Sequence, residues 1–263
     1  MQEIDEQTLR QKERPMRYIC MAIFIAFSVF PCRCMGEDQE KIEYINSFFN
    51  NLFNEEVRSY LSIIPESRMI LAARNECKGL EITFLGYKLV TPWADIKKSY
   101  GSDDNIKVYQ FKSGCLVSIT NPSLGPMKSC MSGLNDSPLD MNIRNFDVNK
   151  TEYELLRDAL YSKFKIYDYL PQEEEFRSLA SNLMLKACYY SPVQKVLSIF
   201  AFEGKKVKGF QFSNQEFTQH ELYIYLDDNE ELKVNVMTIE KDKITQENID
   251  SIILSVSKNP VDN

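Results

Sequence analysis

The sequence predicts an α+β fold. The expectation is a twisted antiparallel sheet of roughly six to eight strands with helices packed on it, preceded by an N-terminal signal segment and an amphipathic helix. Three observations lead there. The last third reads as consecutive strands, "VQKVLSIFAF", "KVKGFQF", "HELYIYL" and "LKVNVMTI", with no crossover helix between them. Helical periodicity is confined to stretches before and after these strands. Leu232, Val234 and Val236 alternate with Lys233 and Asn235, the pattern of a sheet with one wet face.

The segment "MRYICMAIFIAFSVFPCRCMGED" (16–38) bears on the compartment. Its apolar run, Tyr18 to Phe30, is shorter than the roughly 20 apolar residues of a spanning helix and suits the apolar centre of a signal peptide. Arg17 precedes it, with Arg14, Lys12 and Arg10 upstream, and Pro31 ends it. Small residues at Cys34 and Gly36 place a cleavage before Glu37, so residues 1–36 are expected to be a signal peptide and the chain to be exported, periplasmic or secreted. Behind that reading stand an uncleaved anchor through residues 16–34 that leaves the domain facing outward, a lipid on Cys32 or Cys34, and a buried core helix.

Residues 37–263 are read as a single α+β domain, with an N-terminal helical segment over 37–78 and a long loop over 121–150. From 38 to 64, Ile42, Ile45, Phe49, Leu52, Phe53, Val57, Tyr60, Leu61 and Ile64 recur at helical steps until Pro65. One amphipathic helix is expected, packed on its own domain or, alternatively, acting as a stalk. "LEITFLGYKLV" (80–90) reads as two strands around Gly86, and "TPWADIKKSY" (91–100) as a short helix or turn. "NIKVYQF" and "CLVSIT" form a hairpin around residues 112–114. Residues 121–150 show no period. Thr151 and Glu154 make a capping box for one helix, and Pro171 followed by three glutamates starts another. Asp227 to Glu231 turn between the last two strands. Thr245 caps a closing helix to about Val256 that buries Ile249, Ile252 and Ile253.

The order "EITFLGYKLVTPW", sheet, "ELYIYLDDNEELKVNVMTI", "ITQENIDSIILSVS" resembles the PsbP-like α/β-sandwich family. There an early hairpin leads into a proline and tryptophan, matched by Pro92 and Trp93. A long final hairpin is followed by a helix ending in an Ile-Ile-x-Ser-type segment, matched by Ile252 to Ser255. The resemblance covers about residues 80–120 and 193–257. It implies an exported, non-catalytic accessory role and identifies no site.

Charge and composition narrow the partners. The 263 residues carry a net charge of −7, and removing residues 1–36 leaves the balance acidic. No basic cluster stands out, so neither nucleic acid nor an anionic lipid surface is an expected partner. Four cysteines follow residue 36: Cys77, Cys115, Cys130 and Cys188. They read as buried small residues or as two disulfides, with Cys115–Cys130 the pair to test first. Without a C-x-x-C pair, nucleotide-binding glycine motif or second histidine, the sequence indicates no metal site and no cofactor.

Three residues stand out as candidate binding positions. His220 is the one histidine of the chain, so a histidine-dependent hydrolase would have to use it; a sheet-edge residue is the plainer reading. Tyr223 and Tyr225 alternate with Leu222, Ile224 and Leu226. They present an aromatic binding surface or lie on a sheet covered on both faces, the second being preferred. No catalytic residue is assigned. The function expected is an exported binding or accessory domain for an unknown protein or envelope component. A hydrolase whose site assembles only in the fold, or a membrane-tethered structural protein, is the alternative.

Overall fold

The structure is a computed structural model describing residues 38–70, 79–102, 105–120, 149–189, 196–227, 230–240 and 243–258. The α+β class is as expected. Among the described residues are five helices, an eight-stranded sheet and a three-stranded sheet. The signal segment, Cys77, Cys130 and residues 121–148 lie outside the described residues. Among the described residues, no helix is long and apolar enough to cross a membrane. The stretch read as one domain over 37–263 gathers into two compact units. One holds the described residues of 1–62, 126–149 and 158–190, the other those of 63–125, 150–157 and 191–263.

In the first unit the expected single helix over 38–64 is two, α1 (Asp38–Leu52) and α2 (Glu55–Leu61). Asn54 causes the break: its side chain accepts the Val57 N–H at 2.9 Å and caps α2. An Asn in this role satisfies an orphan N–H that a continuous helix would have paired with backbone. Ile42, Ile45, Phe53, Tyr60 and Leu61 are buried as the stripe requires. Asn46 exchanges two 2.8 Å hydrogen bonds with the backbone of Tyr167. The unit also contains α4 (Glu173–Cys188). α3 (Glu152–Tyr161) crosses the division between units and starts with the expected box: Thr151 Oγ1 accepts from the Glu154 N–H while Glu154 accepts from the Thr151 N–H.

The second unit holds both sheets. The large sheet has the order β1 (Glu66–Met69), β7 (Val196–Glu203), β8 (Lys208–Asn214), β9 (Gln219–Tyr225), β10 (Glu231–Met237), β6 (Leu116–Thr120), β5 (Ile106–Phe111), β4 (Ile96–Ser102). Every pairing is antiparallel except β1 with β7. Two expectations are corrected here. Residues 66–69, within the stretch read as helical, form β1, because Pro65 ends the helical run and leaves a short segment that pairs with β7. Residues 96–100, read as helix or turn, belong to β4, because pairing with β5 fixes an extended backbone that local pattern does not specify.

The small sheet is β2 (Glu81–Phe84), β3 (Tyr87–Val90) and β11 (Ser257–Lys258), with β3 central. Leu85 and Gly86 make its two-residue turn with φ of 47° and 79°, the left-handed pair that suits hairpin twist. α5 (Gln246–Ser255) carries the expected cap at Thr245, completed by Asn248. Ile249, Ile252 and Ile253 share one core with Ile82 and Leu89 of the small sheet and Leu222, Ile224, Leu232, Val234 and Val236 of the large one. The even-numbered positions of β9 and β10 therefore face α5.

Candidate functional site

Strand register builds the main polar cluster. Ser213 of β8 stands opposite His220 of β9, and Gln211 opposite Leu222, so Gln211, Ser213 and His220 share the face turned toward α5. On α5, Gln246 and Asp250 are four residues apart and fall on one side of the helix. Arg68 of β1 lies opposite Phe202, with its guanidinium 5.8 Å from that ring's centroid.

These residues bond to one another. Arg68 Nη1 donates to Asp250 Oδ1 at 2.5 Å, and Nη2 to Gln211 Oε1 at 2.7 Å. Gln246 Nε2 donates to Asp250 Oδ1 at 2.9 Å and lies 3.1 Å from Gln211 Oε1. Ser213 Oγ sits 3.0 Å from His220 Nδ1, and His220 Nε2 sits 3.2 Å from the Phe217 carbonyl oxygen. The carbonyl can only accept, so Nε2 carries the proton and Nδ1 accepts from Ser213. Phe217, at φ 56°, packs its ring edge-on to the imidazole with centroids 4.3 Å apart.

The Ser213–His220 contact has the spacing of a nucleophile–base pair. Three features oppose that use. Ser213 is 0% exposed and His220 1%. Burial drives the His220 pKa down to about 4; the Phe217 carbonyl opposes the drop and the Arg68 charge adds to it. A general base at neutral pH works best with a pKa near 7. Among the contacts described, Asp250 bonds to Arg68 and Gln246, not to the imidazole it would have to orient. The cluster is a buried polar fastener between α5, the β8–β9 hairpin and β1.

Tyr223 and Tyr225 lie on the opposite face and are buried, at 3% and 1% exposure. Their burial is in keeping with the preferred reading of a sheet covered on both faces, and they present no exposed aromatic surface. The first turn of α3 supplies the cover: Tyr153 stacks on Phe210 at 5.7 Å and meets Tyr225 edge-on at 5.3 Å. Tyr225 donates its hydroxyl to Glu231, and burial followed by that carboxylate pushes its pKa far up. Tyr223 donates to Glu221 at 2.7 Å and packs edge-on against Phe212.

Cys115 is a free, fully buried thiol whose pKa burial pushes up. Its candidate partner Cys130 is outside the described residues. No group of three His, Cys, Asp or Glu suited to a metal occurs among the described residues. In the Asp227–Glu231 turn, Lys258 bonds Asp227 at 2.8 Å and Glu230 at 2.6 Å. Tyr87 also donates to Glu230, whose pKa is lowered first by Lys258.

Two sites escaped the sequence reading. In the first unit Lys186, 0% exposed, donates to the carbonyls of Leu61 at 3.1 Å, Leu160 at 2.9 Å and Ser162 at 2.9 Å. It thereby closes the C-terminal ends of α2 and α3, where a cation is favoured by exposed carbonyls. Burial lowers its pKa to about 7. A lysine inside "LMLKAC", on the apolar phase of a helix, was the available signal. The other site is β4. It ends the large sheet and pairs, among the described residues, only with β5. Ile96 to Gly101 are exposed, with Ile96 at 39% and Tyr100 at 47%.

No family model matches this chain, and no curated protein or solved structure matches it either.

Proposed function

We propose that this chain is an exported, non-catalytic binding or accessory domain, the role implied by its resemblance to the PsbP-like family. The observation that carries the proposal is the engagement of its lone histidine. His220 is 1% exposed, and both ring nitrogens lie against protein atoms. A base committed to holding the Phe217 turn has no face left for a substrate. The exposed edge of β4 gives such a domain a surface for a protein partner.

The test has two parts. Intact-mass analysis of the protein from fractionated native cells should find a chain starting near Glu37 in an extracytoplasmic fraction. A full-length chain in the membrane fraction would instead support the tethered alternative. Purified protein should then turn over no activated ester or glycoside in a His220-dependent way. Hydrolysis that disappears in His220→Gln, with the fold intact by circular dichroism, would replace the binding reading with the hydrolase one.

A further inference from the structure

The edge of β4 also carries information about its partner. Its sequence, IKKSYGS, holds two lysines and no carboxylate, in a chain of net charge −7. Lys97 sits at the register shift between Ile96 and Lys98. Lys98 and Tyr100 stand opposite Gln110 and Val108, so they share a face, with the ammonium 5.5 Å from the tyrosine ring centroid. Ile96, opposite Phe111, projects to the other face.

Trp93 packs on Phe111 with ring centroids 5.8 Å apart and fixes the root of the hairpin. Gly101, at φ 116°, lets β4 cross so close to β5 that a Cβ would lie 2.1 Å from the Ile106 carbonyl oxygen. The strand is thus held in pairing geometry while one side of its backbone remains unpaired among the described residues.

Lysines and a bulge on an edge strand discourage pairing with other copies of the same edge. Two β4 strands side by side would bring four lysines along one seam. The same lysines favour a strand of opposite charge, because cross-strand ion pairs then add to the backbone ladder. Resting on the binding reading above, we infer that β4 receives an extended acidic segment of a partner protein as an added strand. Lys97 and Lys98 select its carboxylates, and Ile96 and Tyr100 supply apolar contacts on the two faces.

The experiment titrates the ¹⁵N-labelled chain with a capped peptide as long as β4, alternating Glu and Val. A control peptide has Lys in place of Glu. The acidic peptide should shift the Ile96 to Gly101 amides, and more weakly as salt rises. Lys97→Glu with Lys98→Glu should weaken it by about tenfold or more and transfer preference to the basic peptide. Ser99→Pro should reduce binding of either peptide by disturbing the ladder. Equal binding of both peptides at β4 would overturn the acidic partner and leave the binding-domain reading standing. No shift with either peptide, or β4 shifts that follow protein concentration alone, would overturn strand addition and leave the lysines as guards. Neither result bears on the His220 test, so the two proposals fail separately.

Discussion

Arg68 and Asp250 lie 182 residues apart in sequence and meet at 2.5 Å beneath α5. With side chains 14% and 6% exposed, they form an ion pair removed from most of the solvent. Gln211 accepts from Arg68 Nη2 and Gln246 donates to Asp250 Oδ1, bonds that offset part of the cost of burying the charges, while the buried Arg68 Nε has no hydrogen-bond partner among the described residues. The contact joins β1, the parallel strand at one end of the large sheet, to the closing helix.

Breaking one member of this pair should therefore cost more than removing both. Asp250→Asn leaves the guanidinium buried without its counter-charge and should lower the unfolding free energy by about 3 kcal/mol or more. Arg68→Leu combined with Asp250→Leu should recover much of that loss. Urea unfolding of Arg68→Leu, Asp250→Leu and their double decides it; a double whose loss merely sums those of the two singles would refute the coupling.

His220 gives a pH signature. Its folded pKa, about 4, lies below the ordinary 6.5, so the unfolded chain binds more protons between those values. Stability must then fall as pH drops from about 6.5 toward 4, by roughly 3 kcal/mol from this group. Above about 6.5 the contribution is level. The stability difference between wild type and His220→Gln should shrink or reverse over that window. A difference that stays flat from pH 7 to 4 would show that the imidazole is not held neutral.

Lys186 should be irreplaceable by a chain of similar shape. Lys186→Met keeps the volume and leaves three carbonyls, those of Leu61, Leu160 and Ser162, without this donor. A loss of about 3 kcal/mol is expected. Hydrogen exchange should locate it at the last turns of α2 and α3. Uniform exchange protection in the variant would argue against the cap.

Gly101 should resist replacement. An alanine would have to adopt φ 116° and place its Cβ 2.1 Å from the Ile106 carbonyl oxygen. Gly101→Ala should cost about 1–3 kcal/mol. The accompanying amide shifts should be confined to β4 and β5. An unchanged melting temperature would mean the hairpin relaxes without penalty.

Local interactions were legible in the sequence. Thr151 with Glu154, Thr245 before α5, the Leu85–Gly86 turn and the strands of the last third each depend on groups a few residues apart. Periodicity and cap chemistry report such groups directly. The apolar phase of Leu232, Val234 and Val236 likewise gave their face of the sheet. Asn54 shows the limit even of local reading, since an apolar stripe continues through a helix break that one side chain creates.

Strand neighbours beyond the hairpins were decided only by tertiary structure. Alternation tells which face a residue occupies, not which strand lies beside it. Thus β1 beside β7, β6 beside β10, and β4 as the sheet's end could not be read from spacing. The same limit hid the cluster around His220. In "KGFQFSN" Gln211 and Ser213 alternate with the apolar Phe210 and Phe212, and the Arg68 and Gln246 that bond Gln211 come from distant β1 and α5. Tyr223 and Tyr225 alternated as an exposed pair would; Tyr153 and the neighbouring strands bury them. The sequence by itself determined helices, caps, turns and faces, because those rest on short-range geometry. The fold alone decided pairing order, burial of the tyrosines and engagement of the histidine, because these depend on residues brought together from far along the chain.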